Sequence, residues 1–345
     1  MRGNATMKAM KLVGAAAICF VLATPVTAEE TLSIAYNAPK KSAMASAIKT
    51  FIKEANLALA GTAKIVRFKG KKGGKNDKKV VKKLKKGKID LGIVSINMAS
   101  AVRKPLGVFE MPWLVTDAKQ GKTLLQKKKG LGKKIKRATS RSKFLVVGTM
   151  TRGFEYLATY DKKFTKPSDL KGLWINTGNK GYIVKALKAY GAKPGNSDGL
   201  IASLKTISKK KKAYQNTPKY VSNVPISFTP ALILVSKKNK QWKALFMTKK
   251  TTKKGKVKWK YNELGKKVIA AAKKAAKKSA KQAAANDKKA WAAIKKAGKT
   301  KVTNIDLKAF REASVPLYQH YESRVNGGFG TMNQVRAITG VNAGS

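Results

Sequence analysis

Residues 31–96 decide the fold: TLSIA (Thr31–Ala35), MASAIKTFIKEANLAL (Met44–Leu59), TAKIVRF (Thr62–Phe68), DKKVVKKLKK (Asp77–Lys86) and IDLGIVSI (Ile89–Ile96) follow one another. Thr31–Ala35 alternates apolar and polar side chains, the pattern of a half-buried strand. Met44–Leu59 repeats its apolar residues at helical spacing. Thr62–Phe68 reads as a second strand through Ala63, Ile65, Val66 and Phe68. Asp77–Lys86 is a basic helix with Val80, Val81 and Leu84 on one face. Ile89–Ile96 is a nearly continuous apolar strand. Strand and helix alternate, which predicts a parallel or mixed sheet with helices on its faces.

The same grammar continues. Phe144–Met150 reads as a strand and Tyr156–Thr159 as a crossing strand. Pro167–Leu170 is a turn before a short strand at Leu173–Thr177. Tyr182–Tyr190 is a helix stopped by Gly191, and Pro230–Ser236 is a largely apolar strand. No internal repeat is visible. The expected fold class is α/β: two lobes joined by crossing strands. Within the Lys- and Ala-rich stretch 249–299, Tyr261–Ala297 reads as one or two long helices. Leu264, Val268, Ala271, Ala272 and Ala275 give that helix a narrow apolar face, continued by Trp291 and Ile294. With Trp259, these residues favour a packed helix over a DNA-compacting tail.

Charge is the oddity. The 345 residues contain 76 Lys+Arg against 16 Asp+Glu, a formal net charge of +60, yet the hydrophobic share of 43% is that of a globular chain. Lys dominates, whereas close phosphate readers lean on the planar fork of Arg. The charge reads as a solvated surface that attracts polyanions and anionic membrane surfaces nonspecifically. A secreted polycation binding nucleic acid or other polyanions is the alternative reading.

Residues 1–28 read as an export signal. Arg2, Lys8 and Lys11 precede an apolar run, Leu12–Leu22, too short to span a bilayer. Val26-Thr27-Ala28 is a small-residue cleavage site before Glu29. Processing after Ala28 predicts a soluble periplasmic protein without its only cysteine, Cys19. Without that cysteine and with a single histidine, His320, a Cys/His metal centre or nucleophile pair is excluded by residue count. Carboxylates are too scarce to suggest paired acid–base catalysis. The Gly/Lys-rich segment Gly70–Lys75 lacks phosphate-loop spacing, with Asn76 where Ser or Thr is required. No catalytic residue, metal or cofactor is expected, and the chain reads as a non-enzyme.

Several segments, in order, resemble one family. They are Gly87-Lys88-Ile89-Asp90-Leu91-Gly92, Phe109-Glu110-Met111-Pro112-Trp113-Leu114, Gly153-Phe154-Glu155-Tyr156-Leu157 and Pro167-Ser168-Asp169-Leu170-Lys171-Gly172-Leu173. Tyr190-Gly191-Ala192 with Pro194, Gln215-Asn216 with Pro218, and Asp306–Arg311 with Pro316-Leu317-Tyr318 complete the series. Together these resemble the solute receptors of tripartite ATP-independent periplasmic (TRAP) transporters, of the C4-dicarboxylate-receptor type.

The resemblance implies a two-lobed periplasmic-binding-protein-like fold, a long helix bracing both lobes, and a cleft that closes on a small-molecule ligand. It also implies membrane transporter subunits as partners. The expected division is residues 29–151 plus about 230–262 in lobe I, and 152–229 plus about 263–345 in lobe II with the bracing helices. The family usually holds a ligand carboxylate with an Arg after the "K-G-L" segment, where this chain has Asn176. A second frequent Arg, in "G-F-R", is Glu155 here. Arg152 stands close enough in sequence to replace them, or is an exposed strand-end charge. Asn176 either meets the ligand or caps a turn. Gln215 and Asn216 fall on the family's ligand loop, where the plain reading of Asn216 is a turn before Pro218. Trp113, Phe154 and Tyr214 either line the pocket or belong to the core.

Overall fold

The computed structural model describes residues 28–39, 42–68, 76–96, 104–126, 130–135, 143–178, 181–208, 217–251 and 257–341. Residues 1–27 of the export signal, the Gly70–Lys75 segment, Tyr214, Gln215 and Asn216 lie outside the described residues.

The first lobe forms as its sequence dictates. Strands β1 (Glu30–Tyr36), β2 (Ala63–Arg67) and β3 (Leu91–Ser95) run parallel, in the order β2-β1-β3. Helix α1 (Ala43–Leu59) connects β1 to β2, and α2 (Asp77–Lys85) connects β2 to β3. Ser42 caps α1 by accepting the Ala45 N–H at 3.1 Å, and Asn76 caps α2 by accepting that of Lys79 at 2.8 Å. The α1 face carrying Met44, Ile48, Phe51 and Leu59 is fully buried. Each such large side chain contributes roughly 1.5–3 kcal/mol of burial.

Two antiparallel strands carry the chain between lobes. The sequence suggested separate strands at Phe144–Met150 and Tyr156–Thr159; they are one strand, β4 (Phe144–Thr159). At about 3.3 Å per residue it spans roughly 50 Å. Its first part pairs with β9 (Ser227–Ser236), which also pairs with β3. Its last residues pair instead with β7 (Gly199–Ala202) and β8 (Tyr220–Ser222). Beyond β7 the sheet continues through β5 (Trp174–Asn176) to β6 (Lys193–Pro194), giving the path β2-β1-β3-β9-β4-β7-β5-β6. Strand β12 (Lys301–Thr303) adds to β8.

The Lys/Ala-rich stretch forms one helix, Glu263–Ala297, 35 residues long and about 52 Å at 1.5 Å per residue. Asn262 caps it at the start, and Gly298, at φ 65°, closes it in the left-handed conformation. Val268, Ala271, Ala272 and Ala275 join the core built on α1. Ala290 and Ile294 join a second core that contains Tyr156, Leu204 and Ile207. The helix therefore packs against both lobes. Contact with the crossing strand is intimate: a Cβ on Gly148 would come within 2.6 Å of Ala272 Cβ. Before this helix, in a lysine-rich stretch where no strand was expected, β10 (Met247–Thr251) and β11 (Val257–Tyr261) pair as a separate ribbon. Among the described residues no helix is long and apolar enough to cross a membrane.

Candidate functional site

Register between β4 and β9 breaks between Thr151 and Phe154, so Arg152 and Gly153 form a bulge just before the strand changes partners. A bulge bends the strand and re-aims its side chains. Gly153 sits at φ 104°, open to glycine and strained for other residues. Its N–H donates to Thr151 Oγ1 at 3.0 Å, and the Thr151 N–H donates to Ser279 Oγ of the long helix at 3.1 Å. The bulge is thereby fixed to the helix that braces both lobes.

From the bulge, Arg152 reaches the edge where β1 and β3 end. Its Nε lies 3.3 Å from Met44 Sδ, its Nη2 donates to the Asn37 carbonyl, and its Nη1 is 3.8 Å from Asp77 Oδ2. Asp77 Oδ2 also accepts the Ser95 N–H at 2.8 Å and the Ser95 hydroxyl at 2.5 Å. The Asp77 side chain is 8% exposed and Arg152 27%, so the carboxylate is a buried brace for a cation that still meets solvent. Asn37 follows β1, Ser95 ends β3, and the capped starts of α1 and α2 lie at the same edge. The carboxyl ends of parallel strands are where open α/β sheets take ligands, and helix N-termini there favour anions.

Phe154 is 8% exposed and its ring lies 5.3 Å from that of Phe228 on β9. Glu155 is half-buried; its Oε2 accepts the Ser227 hydroxyl at 2.9 Å and that of Thr229 at 3.4 Å. Arg152 and Phe154 therefore share the crossing point. Asn176 and Trp113 stand elsewhere in the fold. Asn176, half-buried at the end of β5, accepts the Gly178 N–H at 3.0 Å, which is a local turn. Trp113 is fully buried. Its indole N–H donates to the Tyr190 hydroxyl at 3.1 Å, and its ring lies 4.8 Å from Phe310. Burial first of all raises the Tyr190 phenol above its ordinary range. Tyr318 and Tyr321 donate to the carbonyls of Pro112 and Pro105, tying the segment 105–114 to the C-terminal helices. Within that segment the buried Glu110 faces the start of the helix Gly181–Ala189, and secondarily to burial it helps raise the Tyr182 phenol.

Sequence reading missed Asp77, Ser95, Ser227 and Thr229. The available signal was scarcity: in a chain with so few acids, Asp77 directly after a capping Asn76 was a candidate brace. Among the described residues no group of three or more His, Cys, Asp or Glu is placed to hold a metal.

Residues 34–197 match the family model of bacterial extracellular solute-binding protein, family 7 (DctP). That match spans just under half of the chain. The matched segment runs from β1 through the bulge to β6, and so contains Arg152 and its partners. This is a family of solute-binding receptors rather than of enzymes. Several TRAP periplasmic solute-binding proteins share this fold. One from a Sulfitobacter species, solved with bound β-D-galacturonate, is 17% identical over 90% of this chain and 100% of its own, with TM-score 0.71. One from Ochrobactrum anthropi is 18% identical over 91% and 97%, with TM-score 0.75. One from Sulfurospirillum deleyianum, solved with bound succinate, is 18% identical over 92% and 100%, with TM-score 0.69. No curated protein matches the chain in sequence.

Proposed function

We propose that this chain is a DctP-type protein, the extracytoplasmic receptor of a TRAP transporter, and binds a small carboxylate solute between its lobes. Arg152 is the carboxylate anchor, the nearby starts of α1 and α2 add a favourable field, and Phe154 stiffens the wall beside it. The observation that carries this reading is the bulge that delivers a partly exposed guanidinium to the carboxyl edge of β1 and β3. Solved relatives in this fold hold β-D-galacturonate, D-erythronate and L-gulonate, all hydroxylated acids. The pairing of Glu155 with Ser227 and Thr229 fits such a ligand, because that cluster suits hydroxyl groups and repels a second carboxylate. A monocarboxylate bearing hydroxyls is thus favoured over a C4-dicarboxylate. Asn176 belongs to the opposite wall, with Trp113 fixing the segment behind it, and Gln215 and Asn216 stay ligand candidates on the resemblance alone.

In this reading lobe I comprises 29–151 and about 230–262, and lobe II the remainder. The protein works in the periplasm after cleavage behind Ala28 and delivers its solute to membrane transporter subunits. Native mass spectrometry of protein recovered from the periplasm tests this reading. A chain beginning at Glu29 with a bound hydroxy acid is expected; a chain that retains Met1 or carries no acid under any growth condition opposes it.

A further inference from the structure

The ribbon of β10 and β11 stands outside the ten-stranded sheet. Its register sets Lys249 opposite Trp259, Thr251 opposite Val257, Thr248 opposite Lys260 and Lys250 opposite Lys258. Side chains alternate between faces along a strand. One face therefore carries Lys249, Thr251, Val257 and Trp259, and the other Thr248, Lys250, Lys258 and Lys260. Val257 is 48% exposed and Trp259 42%, two of the few large apolar side chains left open among the described residues. Lys243 lies 5.3 Å from the Trp259 ring centre. From Lys237 to Asn262 the sequence holds no Asp or Glu. Of the flanking acids, Glu30 accepts a hydrogen bond from Gln241, and Glu263 pairs with Lys266. The base of the ribbon is firm, because Met247 is buried in the core that contains Trp242 and Phe246.

We propose that this ribbon is a membrane-surface anchor that docks the receptor on anionic lipid headgroups, independently of what the cleft holds. Tryptophan settles at the bilayer interface, and lysines near an anionic leaflet are attracted to it. Lys249 on the Trp259 face and Lys243 beside its ring can reach phosphates through their long stems while the apolar residues dip below, and the lysines of the other face add attraction over the ribbon's thickness. Three other roles fit less well. Lysines on an exposed strand guard against edge pairing, but a guard has no need of Trp259 and Val257. Protein interfaces are depleted in lysine. Close nucleic-acid readers lean on arginine, and β10 and β11 contain none.

The test is co-sedimentation of the full chain with vesicles of phosphatidylcholine, alone or mixed with phosphatidylglycerol, beside binding to a short DNA duplex. The variants are Trp259→Ser with Val257→Ser, Lys249→Gln with Lys258→Gln and Lys260→Gln, and a control, Trp174→Ser, at another exposed tryptophan. All altered side chains are exposed, so unchanged circular dichroism is expected. Binding to mixed vesicles should fall about fivefold for each lysine removed. It should fall again for the Trp259 pair and stay unchanged in the control, with duplex binding unaffected by the Trp259 pair. Brominated lipid should quench tryptophan emission in the parent and less in Trp259→Ser. Equal vesicle binding by parent and both ribbon variants, or parallel loss of vesicle and duplex binding in the Trp259 pair, would overturn the proposal.

Discussion

Arg152 Nη1 lies 3.8 Å from Asp77 Oδ2, and the same oxygen accepts both the N–H and the hydroxyl of Ser95. Asp77 thus orients the guanidinium and also offsets its charge. Asp77→Asn keeps an acceptor for Ser95 and removes the negative charge. A carboxylate solute should then bind on the order of three- to tenfold tighter, since a unit charge several ångströms away in a partly buried site is worth about 1 kcal/mol or more. The melting temperature should fall. Calorimetry and a thermal melt read the two effects, and weaker binding would mean that orientation outweighs charge.

Trp113 is a non-glycine residue at φ 59°, in the left-handed region. Its N–H donates to the Ile226 carbonyl at 2.9 Å, and its carbonyl accepts from Arg311 Nε at 3.1 Å. The strained backbone persists because these bonds and the buried ring over-determine it. Trp113→Ala should cost about 3–5 kcal/mol of stability from the cavity alone. Urea unfolding measures this. A loss below about 1 kcal/mol would show that the neighbouring core collapses to fill the gap.

Asp287 is partly buried on the long helix beside Tyr156, and burial pushes its carboxyl up to about 6. Its folded-state value is above the unfolded one, so the linked stability is complete below about pH 4 and is lost as pH rises through about 6. Asp287→Asn should be stabilising at pH 8, by about 1–2 kcal/mol after allowing for solvent screening, and nearly neutral at pH 4. Melting curves of both proteins across pH 4–8 should therefore diverge upward. Parallel curves would exclude the linkage.

Gly148 faces Ala272 so closely that any Cβ collides. Gly148→Val should push the long helix from the crossing strand and cost roughly 1–3 kcal/mol. Adding Ala272→Gly should recover part of that loss, a coupling that a double-mutant cycle of melts would detect.

Much of this architecture was legible because its signals are local. The apolar spacing of Met44–Leu59 announced α1, and the Val80, Val81 and Leu84 stripe announced which face α2 buries. The long helix was legible from Ala and Lys propensity and a narrow apolar seam. The β10–β11 ribbon was not: its residues are nearly all exposed, so alternation of Lys with Val257 and Trp259 carried no burial pattern. Short strands such as Tyr220–Ser222 and Lys301–Thr303 were hidden for a related reason, since they exist through long-range pairing. Arg152 was legible as a candidate only through its neighbours in sequence. Its brace, Asp77 with Ser95, depends on three chain segments meeting and has no local signature.

The most direct test of the receptor account is isothermal titration calorimetry of the purified, ligand-free protein with D-galacturonate and its uncharged counterpart D-galactose. The same titrations are run on Arg152→Ala. The account expects the acid to bind and the neutral sugar not to. It expects Arg152→Ala to weaken the acid by about ten- to a hundredfold, the loss of a charge-assisted contact worth roughly 1.5–3 kcal/mol. Equal affinity of parent and Arg152→Ala for the acid, or equal affinity of the parent for acid and neutral sugar, would contradict it.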